Sequence, residues 1–481
     1  MPKIIRRRQL LTTTAAAVLV PAVARTQPQP PPMRELIVDR RTISVGNRPA
    51  TVYRLGTTDG ATGLALNHDE RFRVRVRNRL EEPTIVHWHG QTPPAGQDGV
   101  ADMHGAAPNV LTQAEALIPP RGERDYDFAA RPGTHWMHSH HGLQEQRLFG
   151  APLIVRDADA ARRDEQDVVL LLQDFSWRDP KDILAGLDGG GHMGHGGPGM
   201  AMPRNGGAAD LNDVLYDAFL ANDRTLADPQ IVRVERGVRV RLRVINAASA
   251  TQFWLDLGAL EATILATDGN PIIPITAPPA ISLAIGQRLD ISFRMPWSGA
   301  FPVLAQVEGT TKRAGIILAT GDATLLPSLN QPAPRAQSPI DLSIERRMTA
   351  QTPLTPRAED VRHAVTLDGN MMRYQWGING RLWADRQPLA VRLGQRVVLD
   401  LVNQTPMSHP MHLHGHHFQV VGINGAKISG PMRDTVLVPA HGGRVSIAFD
   451  ADNPGKWLFH CHNLYHMASG MMTELAYSGT A

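Results

Sequence analysis

Three segments of this chain run an alternating strand pattern into an asparagine, and that recurrence restricts its folds more than any other feature. Phe72-Arg73-Val74-Arg75-Val76, Val238-Arg239-Val240-Arg241-Leu242 and Arg396-Val397-Val398-Leu399-Asp400 lead to Asn78, Asn246 and Asn403. Apolar and polar residues alternating with period two mark strands buried on one face. A second echo closes each copy. Five residues after Gly133, Gly299 and Gly455 come His138-Ser139-His140, Leu304-Ala305-Gln306 and His460-Cys461-His462. Two concordant sets imply a threefold internal repeat of roughly 150 residues. Gly 43 and Pro 37 among 481 residues suit short strands joined by turns, not a helical bundle. The expected units are 35–160, 161–335 and 336–481, divided at Asp157-Ala158-Asp159 and within the Pro-rich stretch 331–339. Residues 185–209 are too rich in glycine for a strand or a helix and read as a loop inserted in the middle unit.

The first 24 residues read as an export signal. Arg6-Arg7-Arg8-Gln9-Leu10-Leu11 opens a basic region, an apolar stretch runs to Val20, and Ala22-Val23-Ala24 offers a cleavage site. Paired arginines before the apolar stretch resemble the twin-arginine address, which implies the bacterial twin-arginine machinery and a periplasmic destination. Removing Lys3, Arg6, Arg7 and Arg8 takes the formal net charge from +3 to −1, which gives no electrostatic reason to bind nucleic acid. No later apolar run is long enough to span a bilayer. The one cysteine, Cys461, excludes an intrachain disulfide and any site built of cysteine alone. An unpaired thiol is unusual in an exported chain, so it calls for a chemical role.

The histidines supply one. His87 and His89 stand nine and eleven residues after Asn78, and His412 and His414 stand at the same offsets from Asn403. From Asn246 those offsets hold Leu255 and Leu257. With His138/His140 and His460/His462 there are four His-x-His pairs, all in the outer copies. Residues i and i+2 of a strand share a face, so each pair aims two imidazoles at one place. Eight convergent imidazoles suit two or three borderline or soft transition-metal ions. Between His460 and His462 the sulfur of Cys461 faces the other way, toward His466, Met471 and His409. Two His, one Cys and a weak Met compose a blue-copper electron-transfer set. One strand then carries a thiolate-bound metal on one side and cluster ligands on the other. Electrons entering at Cys461 would reach His460 and His462 through the backbone, and dioxygen, which needs four electrons to become water, is the natural sink.

His87-Trp88-His89-Gly90, Trp136-Met137-His138-Ser139-His140, His409-Pro410-Met411-His412-Leu413-His414-Gly415 and His460-Cys461-His462 through Met471 resemble the four copper motifs of the multicopper oxidases, in order. The resemblance covers residues 35–478. It implies an all-β chain of three cupredoxin-type Greek-key β-sandwich domains, with a trinuclear cluster between the first and third, and four coppers. His409, Cys461, His466 and Met471 would hold type 1 copper, and His87 and His412 type 2. The type 3 pair would take His89, His138 and His462 on one ion and His140, His414 and His460 on the other. Asp98, eleven residues after His87, matches an acid that helps deliver protons in the family. Where some cuprous oxidases carry an acid after the residue equivalent to His466, this chain has Met467, so no second proton donor is assigned. Trp88 and Trp136 are expected to pack near the cluster. His68, His104, His135, His141, His363, His416, His417 and His441 fall outside the pairing.

Two electron donors fit. His192, Met193, His195, Met200 and Met202 resemble the Met-rich inserts of copper-tolerance oxidases, and thioethers select Cu(I). Phenols and aromatic amines, the donors of laccases, are the rival, because outer-sphere transfer needs little substrate shaping. The alternative of another class is an exported, non-enzymatic copper-binding or scaffold protein of the same fold; the complete ligand set argues against it.

Overall fold

The asparagine-terminated segments are the middle strands of three sheets. The structure, a computed structural model, describes residues 33–100, 116–188, 211–321, 327–329 and 331–478. The expected signal segment, His104 and the inserted segment from residue 189 onward lie outside them; before it, Pro180–Asp188 is a helix that includes the predicted loop's first four residues. Strand makes up 49% and helix 7% of the structure, so the all-β expectation holds.

Within the one compact unit that begins at Met33, six sheets fall in three successive pairs. Phe72–Asn78, Arg239–Asn246 and Arg396–Asn403 each lie between two neighbours. On one side runs a parallel strand, Arg34–Val45, Glu165–Phe175 or Val361–Asn370. On the other runs an antiparallel one, Glu123–Phe128, Arg288–Arg294 or Arg444–Asp450. The second sheet of each pair also recurs. Gly133–Ser139, Ala300–Val307 and Lys456–Cys461 each lie antiparallel between a strand on the ligand-motif side (Val86–His89, Phe253–Asp256, His409–Leu413) and a later strand of their own copy.

The repeated asparagines explain why the pattern recurs. Each is at most 1% exposed, and each ties its strand end to a distant turn. Asn78 Nδ2 donates to the carbonyls of Glu82, Ile118 and Pro119. Asn246 Nδ2 donates to Thr251 and Leu283, and Asn403 Nδ2 to Met407, Val438 and Pro439. All three accept, through Oδ1, the N–H two residues on. A buried carboxamide with every group paired is a specific joint that an apolar residue cannot imitate. The second echo is equally physical: Gly133, Gly299 and Gly455 have φ of 133°, 130° and 156°, and a Cβ on Gly133 would lie 2.6 Å from Gly269.

Alternating residues build the apolar interior. Val74, Val76, Trp88 and Met137 belong to a cluster confined to residues 36–155, whereas residues of the later two sheet pairs share one continuous cluster. Trp88 packs edge-on against Phe72 and Tyr126, so it turns into the interior of the first sheet pair.

Candidate metal centre

Four strand ends deliver the histidines. Val86–His89 pairs with Gly133–Ser139 so that His87 faces His138, and His409–Leu413 pairs with Lys456–Cys461 so that His412 faces His460. His140, His414 and His462 each lie one residue beyond their strands. All eight paired imidazoles converge. His87 stacks on His414 with ring centroids 3.9 Å apart, and His89 on His412 at 3.8 Å. His138 lies 5.1 Å from His462, and His140 5.1 Å from His460. Ring nitrogens gather within 4.8 Å of one another as His87/His89/His412, as His89/His138/His462 and as His140/His414/His460. Seven of the eight are at most 3% exposed, and His140 is half-buried.

Backbone and carboxylate acceptors set the tautomers. His87 Nδ1 donates to the Asp98 carbonyl (3.1 Å), His412 Nδ1 to the Asp434 carbonyl (2.9 Å) and His460 Nδ1 to the Cys461 carbonyl (2.9 Å). His414 Nδ1 donates to Asp98 Oδ2 at 2.8 Å. Each of these rings therefore turns an unprotonated Nε2 inward. His89 is the exception: its Nε2 donates to Asp434 Oδ1 at 3.0 Å, which leaves Nδ1 facing His462 Nε2 at 3.2 Å.

This arrangement fits bound metal and little else. His414 Nε2 and His460 Nε2 are 3.0 Å apart, yet both rings have spent their protons outward. Burial, with the crowd of neighbouring imidazoles, lowers the pKa of His460 far below its usual value and that of His414 to about 4, so neither is protonated at neutral pH. Two facing lone pairs repel unless a cation lies between them. His87, His138, His140 and His412 also have buried Nε2 atoms without any hydrogen-bond partner. Orphaned buried acceptors are costly, and a soft or borderline ion satisfies all of them.

On the far side of the Lys456–Cys461 strand, Cys461 Sγ lies 3.6 Å from His409 Nδ1 and 3.7 Å from His466 Nδ1. Those two nitrogens are themselves 3.1 Å apart. His409 Nε2 is bonded to the Thr405 hydroxyl at 2.7 Å, and His466 Nε2 lies 2.9 Å from Asp213 Oδ2. Met471 is buried and accepts the Cys461 N–H through its carbonyl. Trp376 packs at a tilt of 35° against His466 with centroids 4.1 Å apart. Burial pushes the Cys461 thiol up, so a metal must displace its proton to bind the thiolate.

Asp98 stands beside the gathered histidines, where the family resemblance implies an acid. It is 4% exposed; burial favours its neutral form, but His87 and His414 outweigh that and hold the carboxyl below its usual range. Three functional candidates escaped the sequence reading. Glu145 Oε2 lies 2.9 Å from His138 Nδ1, Asp434 bridges His89 and His412, and Asp213 meets His466. None sits at a repeat-related offset, and their only signal is an acid brought near by the fold. Trp136 stacks on His138 at 4.3 Å, so it packs against the cluster while Trp88 does not. His135, His416 and His417 are buried, not solvated. His417 joins the Gly90 carbonyl to Asn270, and His416 joins the His414 carbonyl to Tyr477.

Residues 60–160, 166–321 and 356–480 match multicopper oxidase family sequences. The chain is 33% identical to the multicopper oxidase MmcO of Mycobacterium tuberculosis over 90% of its own length and 85% of that protein's. It is 26% identical to a copper resistance protein A homolog of Pseudomonas syringae pv. tomato, covering 84% and 85%. Among solved structures it is similar to a laccase from Botrytis aclada, with a TM-score of 0.71, 23% identity and coverage of 93% and 88%. The cupredoxin-type β-sandwich architecture expected from the motifs is thereby borne out. With its convergent imidazoles and metal-poised thiol, the chain belongs to the multicopper oxidases, copper-dependent enzymes that draw electrons from a reducing substrate and deliver them to dioxygen.

Proposed function

We propose that this oxidase divides its work between two copper centres joined by the His460-Cys461-His462 segment, one in each direction from a single strand. His409, Cys461, His466 and Met471 would hold a type 1 copper. His87 and His412 would hold a type 2 copper, with His89, His138 and His462 on one type 3 ion and His140, His414 and His460 on the other. Copper bound in these sites supplies single-electron acceptance at the thiolate and the pooled electrons that reduce dioxygen to water at the cluster. The observation that carries this reading is the placing of the Cys461 sulfur within 3.7 Å of two imidazole nitrogens while the flanking residues join the opposite nest.

The residues around the metals have separable tasks. Asp213 fixes the ring of His466, and the chain reaches the surface two residues later at Leu215, which is 63% exposed; this edge is the electron entry. Peptide bonds from Cys461 to His460 and His462 form the covalent route inward. Asp98 fixes His414 through Oδ2, and its buried Oδ1, which accepts no hydrogen bond, is the atom at which a proton is taken up and passed toward the cluster. Glu145 orients His138 so that its Nε2 faces inward, the usual task of a carboxylate behind a metal-bound histidine.

Three cupredoxin domains, 35–160, 161–335 and 336–481, organise these parts, the middle one carrying no copper ligand. The basic, apolar, Ala-Val-Ala-ended start of the chain supports twin-arginine export to the periplasm. Cu(I) is the natural donor in this reading, supported by the likeness to a copper resistance protein and by the thioether-rich sequence between His192 and Met202. Turnover of Cu(I) and of a simple phenol on one copper-loaded sample tests it. Deleting residues 189–205 should depress cuprous oxidation and leave phenol oxidation intact. Unchanged cuprous kinetics would remove Cu(I) as the substrate, and fewer than four coppers per chain would remove the four-ion assignment.

A further inference from the structure

The middle sheet pair contributes no imidazole to the nest, yet it touches it. The turn after Ile281–Leu283 brings Gly286 against the cluster: with φ of 82°, a Cβ there would lie 2.9 Å from the His462 ring and 3.2 Å from that of His89. Two residues on, Arg288 is fully buried and forms a two-pronged pair with Asp434, Nη1 to Oδ1 at 2.7 Å and Nη2 to Oδ2 at 2.5 Å. Two of its other N–H groups donate to the carbonyls of Gly286 and Thr134. Between them, Gln287 Nε2 donates to the Thr435 carbonyl at 3.1 Å. This turn therefore grips the Asp434-Thr435 segment of the third sheet pair by both side chain and backbone.

Asp434 is where that grip reaches the metal site. Its carboxylate accepts from His89 Nε2 and its carbonyl from His412 Nδ1. Two imidazoles from different sheet pairs thus take their orientation from one residue. A free aspartate could rotate. The planar guanidinium fork fixes its orientation. Among the cluster rings with assigned acceptors His89 alone faces inward through Nδ1, because its Nε2 is held by the Asp434 carboxylate.

We infer that Arg288 is a positioning residue for the copper cluster: acting through Asp434, it sets which nitrogen His89 presents and how His412 is aimed, so the ligand-free middle unit controls the cluster's assembly. The inference rests on the proposed ligand set, which assigns His89 and His412 to the cluster. Carboxylates behind metal-bound histidines typically change metal affinity ~10–100-fold, and a loss of that size is expected when the fork is removed.

The test compares Arg288→Met, Arg288→Lys and Asp434→Asn with Arg243→Met in full-length protein. Arg243 is a control, being a 3%-exposed arginine of the same unit, paired with Asp167 and Asp290 and making no contact with Asp434. Copper content, the paramagnetic resonance of the type 2 ion, the near-ultraviolet band of the type 3 pair and the blue thiolate band are read on each. Arg288→Met should weaken cluster copper ~10–100-fold and alter the type 2 resonance while the blue band persists; Arg288→Lys should recover part of the loss, and Arg243→Met should keep the parent's cluster spectrum. Should Arg288→Met yield no folded protein, Arg288→Lys and Asp434→Asn decide, because both preserve volume. A parent-like cluster in these variants, or equal loss in Arg243→Met, overturns the inference. If the parent itself fails to load a cluster, the ligand assignment is what fails.

Discussion

The outer and middle copies of the repeat share a backbone and part company at a few side chains. Nine and eleven residues past the repeated asparagine, the first and third copies place His87/His89 and His412/His414, and the second places Leu255 and Leu257, 0% and 4% exposed. Where the outer copies place His140 and His462 one residue beyond a strand, the middle one has Gln306, whose Nε2 donates to the carbonyls of Thr310 and Arg335. The same pleat that points two imidazoles at a metal points two leucines into a core. What each copy presents at these positions is thus decided by side-chain chemistry at fixed backbone positions.

Variants can break that comparison at its strongest point first. Cys461→Ser should abolish the blue band and essentially all turnover, because an alkoxide is not available at this site as a substitute conductor; oxidase activity at the parent's level would end the two-centre account. Asp98→Asn keeps the shape beside His414 but removes the carboxyl proposed to carry protons. Turnover should fall by about 10²-fold with an unchanged blue band, measured by oxygen uptake against a single donor. Leu255→His puts an outer-copy residue in the middle copy. With no partner imidazoles around it, the buried ring should cost about 3 kcal/mol and bind no extra copper, as read by denaturant titration and metal analysis. A fifth copper per chain would show that the middle copy retains a latent site.

The smallest effect concerns Glu308, two residues past Gln306. It is 2% exposed, accepts from the Ile340 N–H and from Gln252 Nε2, and burial raises its pKa to about 7 from an ordinary 4.5. Its folded form keeps a proton that the unfolded chain has lost. Stability should therefore fall as pH rises from about 4.5 to about 7 and level off above that, by at most about 3 kcal/mol. Glu308→Gln should flatten that slope, seen as a pH-independent unfolding midpoint across the window. An unchanged slope would assign the effect to other groups.

The sites were legible to different depths. The four His-x-His pairs and Cys461 could be read from spacing, since a strand's period of two fixes which residues share a face, whereas Asp98 was legible only through the family resemblance. Trp88 shows the limit of that reading: it sits between two cluster histidines, and the same alternation turns it into the interior. His135, His416 and His417 have no periodic partner, so only the packed structure reveals that they are buried hydrogen-bonded joints. Glu145, Asp213 and Asp434 are likewise invisible to spacing. Each reaches its histidine across a gap in sequence, 345 residues for Asp434 and His89, and a lone acid in a chain with 46 of them carries no mark.

By itself, the order of residues determined the donor types, their number, the faces they share and the three-copy plan, because those follow from local strand geometry and from side-chain chemistry. Only the tertiary structure decided which nitrogen each imidazole turns inward, which carboxylates stand behind the rings, and that Arg288 of the middle copy grips Asp434 behind two of them. Those features depend on contacts between distant strands, where burial and hydrogen bonding, not sequence period, choose the partner.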